Sequence, residues 1–124
     1  MISRFVANPS IWPVVEKIRK SRRIGLLTNI YPGMLSEIKL AGLLPNVEWD
    51  VIVDSSIVKL AKPDPKIFAL AEERAGARGG EVLFVENTLR HIQSAQTFSW
   101  QTFLYDPSRS EESSYRLSDR IQVL

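Results

Sequence analysis

Residues 62–68 read Lys62-Pro63-Asp64-Pro65-Lys66-Ile67-Phe68, and the rest of the chain can be placed around them. Aspartate followed by proline is a helix start. The carboxylate accepts from free backbone N–H groups, and proline takes the first helical position, where its missing N–H costs nothing. Ile67, Phe68, Ala71 and Ala75 then fall on one face, and Gly76 supplies the stop. Lys62 stands just before this rigid entry, so its ammonium can be held in one place beside an anion at low entropic cost. Taken alone, Lys62 reads as an exposed loop lysine.

Upstream, Val51-Ile52-Val53 and Ile24 to Thr28 are short apolar runs of the kind that form buried strands. Between them, Leu35, Ile38 and Ala41 keep helical spacing over Gly33 to Ala41, and Gly42 is the stop. Further back, Ile11, Val14, Val15 and Ile18 share one face of a helix over Ser10 to Ser21. Asn8 or Ser10 could cap it, and Pro9 and Pro13 suit a first turn. The basic run through Arg22 and Arg23 reads as its solvated end.

Downstream, Val82 to Val85 is a third strand. Leu89, Ile92 and Ala95 make a helical face, and Thr102 to Tyr105 is a fourth strand. Beyond Asp106-Pro107 the chain turns polar. Residues 108–124 read as a tail, partly mobile until Leu117 to Leu124 docks. Strands alternating with helices of about three turns predict an α/β fold over residues 1–107, with a parallel sheet of about four strands flanked by helices.

Bulk properties bound the function. A formal net charge of +2 over 124 residues is too weak to indicate a nucleic-acid partner. With no cysteine there is neither a disulfide framework nor a thiolate metal site. No apolar run approaches the roughly 20 residues that span a bilayer, and Met1 to Asn8 lacks a charged-then-apolar signal layout. The expectation is a soluble, cytoplasmic protein with no membrane partner.

In parallel sheets ligands bind at the carboxyl ends of the strands. Those ends carry Leu27-Thr28-Asn29, the segment leading from Ser55 and Ser56 to Lys62, and Phe84-Val85-Glu86-Asn87-Thr88. A threonine hydroxyl with the amides of a turn suits a phosphate oxygen, and an acid at a strand end can hold Mg²⁺, which prefers oxygen ligands. Each signal has an ordinary alternative, namely a helix cap, a loop lysine and a capped helix start.

In order and spacing, three stretches together resemble motifs two, three and four of the haloacid dehalogenase (HAD) superfamily. They are Ile24-Gly25-Leu26-Leu27-Thr28-Asn29, then Lys62 to Phe68, then Val82-Leu83-Phe84-Val85-Glu86-Asn87. Trp100 to Tyr105 is similar to the strand that closes that fold. The resemblance covers roughly residues 9 to 107 and implies an incomplete Rossmann-like HAD core without a cap domain. It implies a hydrolase of phosphate-monoester type, a phosphate-containing small molecule as partner and Mg²⁺ as cofactor. By the same resemblance, Thr28 and the amide of Asn29 would hold the phosphoryl group. Lys62 would neutralise charge there, and Glu86 and Asn87 would face the metal.

Two departures from the family pattern change the expectation. The family's nucleophile is the first aspartate of a D-x-D motif, and no D-x-D occurs in these 124 residues. Asp54 ends an apolar run, but it lies where the family has a Ser-rich loop, and Asp106 reads as a turn former. Motif four is also altered. Asn87 is neutral and a poor Mg²⁺ ligand, and His91 stands where the family often has Asp or Asn. His91 reads as an ordinary polar residue on a helix beside the sheet. The expectation is a chain without turnover on its own, with a non-catalytic pseudoenzyme as the alternative, acting as an anion-binding or oligomerisation module. A receiver domain is excluded by the lack of an acidic pair at the first strand.

In the family the nucleophile strand runs between the strands of motifs two and four. Without it, two edges would face each other unpaired, and a buried unpaired backbone group costs about 1–3 kcal/mol. Candidate fillers are Met1 to Ala7, with apolar Ile2, Phe5 and Val6, direct pairing of the flanking strands, or a strand from another chain. Exposed edges therefore predict a homodimer or a rearranged sheet.

Overall fold

The computed structural model describes residues 11–44 and 47–122. Met1 to Ala7, Asn8 and Ser10, named above as filler and caps, lie outside these residues.

Helix α1 spans Trp12–Arg19. Pro13 sits in its first turn, and Ile11 occupies the cap position without a side-chain cap bond. Strand β1, Gly25–Thr28, leads to α2, Met34–Leu40. The buried residues of α2 are Met34 and Ile38, while Ala41 lies outside and exposed. The left-handed Gly33, at φ 81°, starts the helix late and brings Met34 inward.

Strand β2, Val51–Asp54, runs straight into a single turn, α3, Ser55–Val58. Helix α4, Pro65–Ala75, forms as its sequence dictates. Asp64 accepts from the Lys66 N–H, Pro65 takes the first position, and the left-handed Gly76 ends it. Strand β3 is Leu83–Glu86, α5 is Leu89–Gln96 and β4 is Gln101–Leu104. On α5, Ile92 and Ala95 are buried but Leu89 is exposed. Among the described residues, no helix is long and apolar enough to cross a membrane.

The polar segment carries one more helix. Helix α6 spans Ser110–Gln122. Its inner face is built from Ser113, Ser114 and Leu117, all buried. Serines give no apolar periodicity, but their hydroxyls have partners. Ser114 meets the Tyr105 hydroxyl at 2.9 Å, and Ser113 accepts from the Asp106 N–H at 3.0 Å. The helix docks on polar bonds that a hydropathy reading misses.

Both ladders are parallel, and among the described residues the four strands form two pairs rather than one sheet. β1 pairs with β2 from Gly25↔Val51 to Thr28↔Asp54, and β3 pairs with β4 from Leu83↔Gln101 to Glu86↔Leu104. Among the described residues the two pairs share no ladder, so the flanking strands do not close on each other directly. What joins them is side-chain packing. Val53 of β2, Ile67 and Phe68 of α4, Phe84 of β3, Ile92 and Ala95 of α5, and Trp100 form one buried cluster, with Leu27 of β1 packed against it.

Candidate functional site

The loop before α4 converges on the ends of β1 and β3. Just past β1, the Asn29 side chain clamps the backbone of Lys62. Its amide donates to the Lys62 carbonyl at 3.0 Å, and its carbonyl accepts the Lys62 N–H at 2.9 Å. From α5, Ser94 donates to the Pro63 carbonyl at 2.8 Å. Ser55 ties down the turn after β1, accepting from the Ile30 N–H at 2.8 Å and donating to the Ile30 carbonyl at 3.1 Å. The peptide around Lys62 is thus held directly from two elements, the turn after β1 and α5, and the lysine is no loose surface side chain.

Its ammonium lies 2.6 Å from Glu86 Oε1 at the end of β3, and the two side chains are only 10% and 8% exposed. The ammonium also stands 5.7 Å from the centre of the Phe84 ring, within cation–π range. His91, in the first turn of α5, donates through Nδ1 to the same Oε1 at 3.0 Å. The Asn87 N–H donates to Glu86 Oε2 at 2.8 Å. Lys62, Glu86 and His91 therefore form one buried polar cluster, and each carboxylate oxygen already has a donor.

Thr28, by contrast, makes no side-chain hydrogen bond among the described residues, which leaves its hydroxyl available at the strand end. Asn29's side chain is committed to the Lys62 loop, so only its backbone amide is left for a ligand. Asp54, at the end of β2, accepts from the Ser56 N–H at 2.9 Å and the Ser56 hydroxyl at 2.6 Å, capping α3. Asp106 does the same for the turn at Pro107–Arg109 through Ser108. Ser94 is a contributor that the sequence reading does not name, Ser55 is named there only as part of a strand-end segment, and His91, read there as an ordinary polar helix residue, meets Glu86 instead. Ser55 and Ser94 are signalled in advance only by position, on the turn and the helix face that border the strand ends.

Burial by itself would raise the Glu86 carboxyl. The Lys62 ammonium, the hydrogen bonds from Lys62 and His91, and the Asn87 N–H outweigh it and hold the group below its ordinary 4.5. A carboxyl depressed on folding stabilises the fold fully above its unfolded value, and the contribution is lost as pH falls through the lower, folded value. Stability is thus expected to decline below pH 4.5. Glu86→Gln should remove that part of the slope. Urea unfolding at several pH values between about 3 and 6 checks this, and an equal slope in both proteins would refute it.

The strand end does not supply the ligand set of a hard divalent cation. Glu86 is its one carboxylate and both oxygens are engaged, while Asn87 is neutral. No group of three or more His, Cys, Asp or Glu side chains among the described residues could hold a metal ion.

The model of the haloacid dehalogenase-like hydrolase family matches residues 3–98. A phosphatase of Mycobacterium tuberculosis is 27% identical over 103 residues, which are 81% of this chain and 46% of that protein. A HAD phosphatase from Thermococcus onnurineus superposes with a TM-score of 0.69 at 28% identity, covering 79% of this chain and 46% of that one. A HAD family enzyme from Bacteroides thetaiotaomicron, solved with magnesium and inorganic phosphate, gives 0.69 at 21% identity, covering 78% and 52%. The chain spans about half the length of each.

Proposed function

Because this chain belongs to the haloacid dehalogenase-like hydrolase family, we propose that Thr28, the Asn29 amide and Lys62 are the phosphate-facing part of a phosphate-monoester hydrolase site. The observation that carries this reading is the immobilisation of Lys62. A lysine pinned by Asn29 and Ser94 and aimed across the end of β3 has lost its freedom before any ligand arrives, which is how a positioned charge becomes useful to a reacting anion. A relative solved with magnesium and inorganic phosphate supports a phosphate-containing small molecule as the partner.

These 124 residues contain no D-x-D pair, and Asp54 is spent on capping α3. We therefore expect no turnover from this polypeptide alone, since covalent phosphoryl transfer needs a free carboxylate in line with phosphorus. Purified chain incubated with a generic aryl phosphate and Mg²⁺ should release phenol at the uncatalysed rate. Turnover that Lys62→Ala abolishes would overturn the claim and return Asp54 to consideration.

A second reading, a non-catalytic module that binds anions or assembles with copies of itself, is favoured by the split between the two strand pairs. Light scattering tests the assembly part, since unpaired edges favour a dimer. A monomer at all concentrations would count against exchange between chains.

A further inference from the structure

We infer that the Lys62 ammonium takes the place of a divalent cation against the Glu86 carboxylate at the end of β3, so that these residues do not hold magnesium. Glu86 Oε1 holds Lys62 at 2.6 Å and His91 at 3.0 Å, and Oε2 holds the Asn87 N–H at 2.8 Å. A hard cation seeks several anionic oxygens in regular geometry. Here it would have to displace an ion pair whose two side chains are about nine-tenths buried. In exchange it would gain one carboxylate, and it would be repelled by the ammonium it displaced.

The neighbouring oxygens offer little more. The Asn87 side-chain carbonyl is uncharged and faces the Thr88 hydroxyl at 3.4 Å. Lys62 is also attached more firmly than a soluble ion. Its backbone is clamped by Asn29, its loop by Ser94, and its head lies over Phe84. His91 completes the arrangement by taking the remaining approach to Oε1. The inference concerns the cation alone and stands independently of whether the chain binds phosphate.

Paramagnetic Mn²⁺ with the 124-residue chain, followed in amide NMR spectra, tests it directly. At about 1 mM Mn²⁺ the Asn87 and Thr88 amides of the wild type should broaden no more than amides beside exposed carboxylates such as Glu111 and Glu112. Selective broadening there would overturn the inference. Lys62→Gln keeps a donor for Glu86 but removes the charge, and its spectrum reports whether the fold is kept. It should broaden Asn87 at about tenfold less Mn²⁺ than the wild type requires. A folded Lys62→Gln protein as unresponsive as the wild type would show that the lysine is not what excludes the cation. As a wild-type check, added MgCl₂ should leave Tm where NaCl of equal ionic strength leaves it. A specific rise with Mg²⁺ would contradict the inference.

Discussion

Replacing Phe68 by alanine is expected to cost about 3–5 kcal/mol, a large share of the roughly 5–15 kcal/mol that holds a domain of this size folded. Phe68 is fully buried. Its ring meets Phe84 edge-on at 5.8 Å, Phe98 at 5.9 Å and Trp100 edge-on at 5.3 Å. Edge-to-face pairs of this kind add to the value of the buried area. The site has a second importance here. The two strand pairs share no ladder among the described residues, so the cluster containing Val53, Phe68 and Phe84 joins them in place of backbone hydrogen bonds. Truncating its central ring weakens the bond between the halves as well as leaving a cavity. Guanidinium unfolding of Phe68→Ala beside Phe68→Leu checks this. The leucine variant should lose well under half as much, because it refills most of the space. A loss for alanine below about 1 kcal/mol would show that the halves are held by something else.

The sequence made the fold legible wherever local chemistry and tertiary role agree. Asp64, Pro65 and Gly76 state the limits of α4 because capping is a matter of neighbouring backbone groups. The β-branched run Val51-Ile52-Val53 states β2 because a strand at least half-buried along its length takes apolar residues throughout. Legibility fails where the stabilising groups are polar. Helix α6 buries Ser113 and Ser114 against Tyr105 and Asp106, and nothing in a hydropathy pattern distinguishes those serines from solvated ones. The site divides the same way. Lys62 and Glu86 could be named from motif order, but their contact spans 24 residues of chain. His91 reads as an unremarkable helix residue until α5 is laid against β3 and its ring meets Glu86. The split of the strands into two pairs is likewise a property of pairing, which no single segment encodes.

Replacing Lys62 by methionine is expected to cost about 3 kcal/mol and to abolish whatever affinity the chain has for inorganic phosphate. Methionine preserves the aliphatic stem over Phe84 and deletes only the ammonium. The Glu86 carboxylate would then remain about nine-tenths buried without its counter-charge, and breaking one side of a buried pair is worth about 3–5 kcal/mol. The lower end applies because His91 and the Asn87 N–H still donate to the carboxylate. If the cost is that of a stranded charge, removing the charge recovers it. The double replacement Lys62→Met with Glu86→Gln should be more stable than Lys62→Met alone, although it lacks more native contacts. Phosphate affinity should stay lost in the double variant, because neutralising Glu86 cannot restore the missing cation. Urea unfolding gives the first quantity and isothermal titration with phosphate the second. Additive losses in the cycle would mean that Lys62 and Glu86 contribute independently and that the 2.6 Å contact carries little energy. Phosphate binding unchanged in Lys62→Met would instead remove the lysine from the anion site, leaving Thr28 and the turn after β1 to account for it.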